Sequence, residues 1–297
     1  MTRKKKSHCL LKTMVSLMLA AVISLSSAIP ANAAALGIDV SKYQGAINWG
    51  AVPSSGVSYT FIKVGSTKSG VDPAFAANVA GAQAAGLRTG VYIYSYANSV
   101  EAAVNEANLV LQWIEGYHIN FPVAFDVEDS VYKKLDPATV TAMANAFCDV
   151  IASAGYHPIV YTGTNFYRKH FAPGLRYDIW IAQYGDSCDI PGHAIWQASQ
   201  TGSVAGVAGH VDIDYMYKDY HNLIIPVGFA QRGEGTYFYN DYRIQFGWVD
   251  YNNARYHMDA TGRMNTGWFT DESGTYYLAD DGHALVGQNQ LGEDRFY

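Results

Sequence analysis

Cysteine is scarce in this 297-residue chain: Cys9, Cys148 and Cys188 are the only three. Cys9 sits in an N-terminal leader, and the other two, 40 residues apart, make no disulfide framework. Cys148 falls on an apolar helix face, where packing accounts for it. CxxC is absent and the nine histidines show neither HxxxH nor HExxH spacing, so metal chemistry has no support and no cofactor is expected. Charge is thin as well, 15% of residues against 49% hydrophobic, which argues against disorder and allows a sizeable core. Basic residues are the scarcer sign. Five of the 20 lie in the first 33 positions with no acidic residue among them, so removal of that segment leaves 15 basic against 26 acidic residues, a net charge of −11. That balance argues against nucleic acid as a partner. Past residue 33 no apolar run is long enough to span a bilayer.

The first segment has the form of a secretory signal. Arg3, Lys4, Lys5, Lys6 and Lys12 make a basic n-region, an apolar run follows from Thr13 to about Ile29, and Ala31-Asn32-Ala33 offers a small-x-small cleavage site. The expectation is a signal peptide over 1–33, a secreted product and no membrane association after cleavage.

From Leu36 to Tyr217 strand-like runs alternate with helical patterns. The strand candidates are 36–41, 59–65, 88–96, 121–128, 158–163, 177–184, 194–199 and 210–217. Asp72-Pro73 opens an alanine-rich helix closed by Gly86; Ser99 caps 100–115 before Gly116; Asp136-Pro137 opens 138–154 before Gly155. The alternation predicts an α/β fold, a parallel sheet with right-handed crossovers closed by eight strands into a TIM-like barrel, with its active site at the strands' C-terminal ends. After the fifth strand the connections are too short for full helices, so the barrel should be irregular in its last third.

The stretch FPVAFDVED, Phe121–Asp129, carries the first chemical signal. Period-two alternation places Phe121, Val123, Phe125 and Val127 on one face and Pro122, Ala124, Asp126 and Glu128 on the other. Asp126 and Glu128 then share a face, with Cα atoms roughly 6.5–7 Å apart. Lone carboxylates beside a core are costly, and two acids on one wall are the minimum equipment of a glycosidase; a strand end meeting water is the plainer alternative. Asp39 lies near the end of the first strand, and Asp212 and Asp214 lie in the last. Closure makes those strands neighbours, so Asp39 and Asp212 should face each other across the seam. Carboxylates from three strands would converge at one mouth, where crowding raises at least one pKa, as a general acid requires.

GIDVSKYQGAINW (37–49), AFDVE (124–128), GYHPIVYTG (155–163), DIWIAQY (178–184), IWQAS (195–199) and VDID (211–214) together resemble family 25 glycoside hydrolases. These are the N,O-diacetylmuramidase lysozymes of bacteria and their phages, and the resemblance covers roughly residues 36–217. It implies an irregular β/α barrel acting on bacterial peptidoglycan at the β-1,4 bond between N-acetylmuramic acid and N-acetylglucosamine. Carried over by position, Glu128 is the general acid, Asp126 its partner carboxylate, and Asp39 and Asp212 supporting acids. The family commonly closes VDxN, whereas this chain has Asp214, which adds a negative charge. Asp126 as nucleophile, as a base activating water, or as support for the substrate's 2-acetamido group stay open by spacing; the resemblance leans to the third.

Tyr43, Tyr94, Tyr96, Tyr161 and Trp180, with Gln197 of IWQAS, are candidate substrate contacts, Tyr43 and Tyr96 being nearest the expected mouth. Tyr92, Tyr184 and Trp196 complete an aromatic inventory that suits a polysaccharide cleft, although strand aromatics also fill cores. Lys63, near the end of the second strand, is placed to keep one acid ionised.

Beyond Asp219 a repeat begins. Gly247-Trp248, Gly267-Trp268 and Gly287-Gln288 recur at a period of 20, as do Tyr256, Tyr276 and Phe296. The pattern predicts about three β-hairpin units over 236–297, after a catalytic barrel at 34–220 and a linker at 221–235. The repeats resemble cell-wall-binding repeats of the choline-binding type, whose aromatic residues cage a quaternary ammonium. The resemblance implies wall-binding roles for Tyr237, Trp248, Tyr256, Trp268, Tyr276 and Tyr277, and hence a wall-associated protein. Thr236, Arg255 and Thr275 stand where a tryptophan precedes the tyrosine pair, and Gln288 replaces the third Gly-Trp tryptophan. A wall polymer such as teichoic acid is therefore a safer expectation than choline. Two rivals remain. A chitinase-like glycosidase usually carries a longer D-x-x-D-x-D-x-E run, and Phe121 and Ala124 occupy its earlier positions. A non-catalytic wall-binding protein on a decayed barrel is countered by the four acids at expected strand ends.

Overall fold

Alternating side chains set the first strand, β1 (Ala35–Val40), between two apolar environments: Leu36, Ile38 and Val40 meet the surrounding helices while Ala35, Gly37 and Asp39 point the other way. The structure is a computed structural model that describes residues 35–285 and the short strands Asn289–Leu291 and Asp294–Phe296. The expected signal peptide and the pair Gly287-Gln288 lie outside the described residues.

After β1 come β2 (Val57–Ser66), β3 (Arg88–Tyr94), β4 (Val123–Asp126), β5 (Pro158–Gly163), β6 (Asp178–Ala182), β7 (Ile195–Gly202) and β8 (Val211–Met216). Among the described residues these eight close into a barrel in which neighbours in sequence are neighbours in space and β1 bonds both β2 and β8. Strands β1 to β7 run parallel, but β8 is antiparallel to both β7 and β1, which corrects the expected all-parallel sheet. The reason lies in the linkage: a parallel return needs a dozen or more residues, and only 203–210 separate β7 from β8.

Helices α1 (Phe75–Ala84), α2 (Val100–Trp113) and α3 (Pro137–Ser153) cover the early crossovers. The Ser99 hydroxyl accepts the Ala102 N–H at 3.1 Å and an Asp136 carboxylate oxygen accepts that of Thr139 at 3.0 Å, so α2 and α3 begin at the two expected caps. Phe125 of β4 stacks on Phe147 of α3 with ring centroids 4.2 Å apart. A seven-residue helix, α4 (Thr164–His170), follows β5, while the β6–β7 connection has no helix.

The barrel interior is aromatic. Phe61 stacks on Trp180 at 4.3 Å, and Tyr59 lies 4.8 Å from Phe121. Gly37 makes room for this, since a Cβ there would lie 2.2 Å from the Tyr59 ring. Phe121 is a second correction: β4 starts only at Val123, and Phe121 turns under the barrel to join Tyr59 and Phe61 rather than the outward row of Val123, Phe125 and Val127.

Residues 227–232, inside the stretch expected as a linker, form β9 (Val227–Arg232), which pairs with β10 (Gly235–Asn240). This hairpin is seated on the barrel's lower rim, where the strands begin. The Ile244 N–H donates to Gly155 O at 2.8 Å, and Arg232 donates to His157 Nδ1 at 2.9 Å. His157 in turn meets Asp178, which also accepts from Lys218 and Tyr220. Burial opposes ionisation of Asp178, yet those donors hold its carboxyl well below the usual range.

Hairpins β11 (Gly247–Tyr251)–β12 (Ala254–Met258) and β13 (Gly267–Asp271)–β14 (Gly274–Leu278) follow, in the twenty-residue step. Isolated bridges Tyr237–Arg263 and Tyr256–His283 tie each unit to the next. The repeat aromatics lie largely between units: Tyr256 contacts Phe229 at 4.7 Å, Tyr276 contacts Trp248 at 4.6 Å, and Trp248 Nε1 donates to Asp271 at 2.7 Å. Cys148 is buried against α3's neighbours, and both it and Cys188 are free thiols.

Candidate active site

The upper end of the barrel, where β1 to β7 finish, opens as a cavity of about 280 Å³. Asp39, Asp126, Glu128 and Asp212 all line it, with Lys63, Tyr94 and Gln197. Three strands therefore do bring their carboxylates to one mouth. Asp39 and Asp212 are directly paired across the β1–β8 seam. Because β8 runs backwards, Asp212 near its start is at the rim and Asp214 lies two residues deeper, opposite Gly37.

Burial governs the acids. Asp39 and Asp126 are 6% and 4% exposed. Burial pushes Asp126 well above the usual carboxylate range; Glu128 adds to the rise and Lys63 opposes it. Glu128 stands at the solvent-open end of the same wall and is raised less, first by desolvation, with Lys63 opposing and Asp212 and Asp129 adding. Asp212 is pushed up to about 6, chiefly by burial, with a hydrogen bond to Asp39 working against it. Burial lowers the pKa of Lys63, and Asp126 opposes that fall. Its ammonium lies 4.8 Å from the Tyr94 ring centre. The site thus holds several carboxyls biased towards the protonated state and one cation, Lys63, that opposes the bias at Asp126 and Glu128.

A hydrogen-bond chain underlies this rim. Trp180 Nε1 donates to Asp214 at 2.8 Å, and Gln197 Nε2 donates to Asp39 at 2.7 Å. Tyr161 donates its hydroxyl to Gln197 Oε1 at 2.9 Å. Asp214 also acts on Asp39 by charge, adding to the burial that pushes Asp39 well above the usual carboxylate range. Tyr161, Trp180 and Gln197, expected as substrate contacts, line the mouth and also bond to one another or to the acids. Asp126 Oδ1 and Asp214 Oδ2 are both buried without a hydrogen-bond partner among the described residues, and of the two only Asp126 lines the mouth.

Among the aromatics, Tyr43 is 80% exposed on the rim. Ser41 fixes its turn by accepting the Tyr43 N–H at 3.3 Å, while Gln44 Oε1 accepts the Ser41 N–H at 2.8 Å. Tyr94 also lines the mouth, and Tyr184 joins it from the β6–β7 connection. Tyr96 lies beyond the end of β3, beside Tyr94 and beneath Lys68, and does not line the mouth. Trp196 is a correction to the aromatic inventory: it faces the outer layer, donates to Gln183 O and packs on Tyr215. Glu128 and Tyr184 are shared with a second, larger cavity of about 900 Å³, walled by Lys133 and α4. Sequence reasoning missed it, although the basic runs Lys133-Lys134 and Arg168-Lys169-His170 directly follow strands four and five.

The profile described as Glycosyl hydrolases family 25 matches residues 38–207, which takes in all four mouth acids except Asp212 and more than half of the chain. The chain belongs to that family. An autolytic lysozyme of Clostridium acetobutylicum is 32% identical over 181 residues, 60% of this chain and 54% of that protein. The family 25 chain described here thus spans about half the length of that curated relative. The solved bacterial lysozyme of Streptomyces coelicolor is 26% identical with a TM-score of 0.54, over 61% of this chain and 91% of its own. The modular Cpl-1 endolysin, solved with a peptidoglycan analogue, is 23% identical with a TM-score of 0.51 over 88% of this family 25 chain and 79% of its own; it speaks for the fold alone.

Proposed function

We propose that the protein hydrolyses bacterial peptidoglycan at the β-1,4 bond between N-acetylmuramic acid and N-acetylglucosamine. The observation that carries this is the convergence of Asp126, the last residue of β4, and Glu128, two residues beyond it, at the mouth of a family 25 barrel. The names of two relatives, an autolytic lysozyme and a bacterial lysozyme, support the substrate class.

Glu128 is the general acid. Its desolvated wall favours the protonated form, and its open position gives the glycosidic oxygen access to that proton. As the C1–O bond breaks, the proton passes from Glu128 to the departing oxygen. Asp126 accepts the N–H of the muramic 2-acetamido group, which lets the acetamide oxygen attack C1 and form a cyclic oxazolinium. Glu128, now ionised, takes a proton from the water that reopens it. The partnerless Asp126 Oδ1 supports this role, because a buried acceptor with no donor is an unmet hydrogen bond that a substrate N–H satisfies. Lys63 favours the ionised form of Asp126, against the burial and the Glu128 charge that raise its pKa. Asp39 and Asp214 hold the floor through Gln197 and Trp180, and Asp212 faces Asp39 across the seam.

The protein acts outside the cell, delivered by the leader at 1–33, and its hairpins hold a wall polymer such as teichoic acid. The Arg255 guanidinium lies 4.5 Å from the Trp248 ring centre, so one aromatic face that a quaternary ammonium would use already has a cation on it. Trp268, 58% exposed, and its neighbour Tyr277 remain the candidate polymer contacts. Digestion of purified peptidoglycan, followed by borohydride reduction and amino-sugar analysis, tests the reading. New reduced muramic acid is expected; new reduced glucosamine or no cleavage contradicts it.

A further inference from the structure

The larger cavity beside the mouth is unlike the mouth itself. The mouth is floored by carboxylates. The neighbouring cavity is walled by Lys133, Arg168, Lys169 and His170, in a chain whose overall charge is −6. Arg168 is partly answered by Asp189 at 2.6 Å. Lys133 and Lys169 have no ion-pair partner among the described residues. Asn165 and Gln183 add amide groups to the same walls.

We infer that this cavity is a subsite for the anionic peptide stem carried by muramic acid, so that the enzyme prefers stem-bearing glycan to bare glycan. The inference rests on the hydrolase reading for its substrate class. The glycan of peptidoglycan is N-acetylated and neutral wherever its lactyl group is amide-linked to peptide; its negative charge resides in the stem's side-chain and terminal carboxylates. A bare sugar gains nothing from three or four cations, whereas a carboxylate-bearing peptide does. Position agrees with charge. Glu128 and Tyr184 belong to both cavities, so a muramic ring held at the acids carries its lactyl branch at the entrance to the basic one. The acidic floor repels the stem and the basic wall receives it, which fixes which way round the sugar lies.

The test is calorimetric binding to full-length Glu128→Gln protein, so that the stem preference is measured even if cleavage itself is not observed. The ligands are N-acetylglucosaminyl-N-acetylmuramyl-pentapeptide, the same disaccharide with its lactyl carboxyl capped as the N-methylamide in place of peptide, and a glycerol-phosphate oligomer. The stem-bearing ligand should bind more tightly than the bare disaccharide. Adding Lys133→Ala and Lys169→Ala together should remove roughly three- to tenfold of that preference, as two exposed ion pairs allow, and salt at about 0.5 M should erode it likewise. A Lys133→Arg, Lys169→Arg pair should retain it. Equal affinity for the two glycans, or a preference that survives the double alanine change, overturns the inference. So does a glycerol-phosphate oligomer that binds as tightly as the stem and loses affinity in the same variant, which would make the wall a phosphate-polymer site.

Discussion

Asp214→Asn should stabilise the protein, and by an amount that grows with pH. The Asp214 side chain is fully buried, accepts one bond from Trp180 Nε1 and meets Asp39, itself a carboxyl. Burial, then the charge of Asp212, pushes its pKa well above 3.8. The sign follows from linkage: the stability contributed by that proton is complete below 3.8 and is lost as pH rises towards the folded-state value. The slope is about 1.4 kcal/mol for each pH unit over which the folded chain keeps a proton that the unfolded chain has released. Asparagine carries no such linkage. Its Oδ1 can accept from Trp180 and its amide can donate to Asp39, so no hydrogen bond is lost. The gain over the parent should be near zero at pH 4 and rise to about 4 kcal/mol at pH 7 as an upper bound, less wherever Asp214 begins to ionise. At about 2–4 °C per kcal/mol the melting temperature rises by several degrees. Thermal melts of both proteins from pH 4 to 8 check it. A variant that is equally stable at every pH, or progressively less stable as pH rises, refutes the reasoning that the buried acid is held neutral.

Other outcomes follow from the same geometry. Lys63→Met removes the charge that lowers both Asp126 and Glu128, so both limbs of the pH dependence of kcat/KM should move to higher pH; an unmoved profile shows that Lys63 does not set their ionisation. Gly37→Ala places a Cβ 2.2 Å from a Tyr59 ring already held against Phe121, and should lower stability by about 1–3 kcal/mol or more in denaturant unfolding. Removing the Nε1 donor with Trp180→Phe should cost about 1–3 kcal/mol, since Asp214 Oδ1 is left buried without a partner.

Period-two alternation made the decisive part of the site legible. It placed Asp126 and Glu128 on one side, and barrel closure made β1 and β8 neighbours; the reversal of β8 is what sets Asp212 at the rim opposite Asp39. The same rule contained more than was drawn from it. Gln197 points inward, so Trp196 beside it must point outward, where it is found. Only eight residues join β7 to β8, too few for a parallel crossover, and that shortness already implied the antiparallel strand. Phe121 was misplaced because alternation holds only within a strand, and β4 begins two residues later. The basic cavity was out of reach in a different way. Lys133 and Lys169 come from separate elements, and only the fold puts them on one wall with Glu128.

The role of Glu128 is tested most directly by leaving-group dependence. Glu128→Gln should abolish cleavage of peptidoglycan, whose sugar leaving group needs a proton, yet retain near-parental first-turnover release of dinitrophenolate from a dinitrophenyl β-glycoside of an N-acetylmuramic acid-terminated oligosaccharide, whose leaving group does not. Equal loss on both substrates, or near-parental activity on peptidoglycan, contradicts the assignment of Glu128 as the general acid.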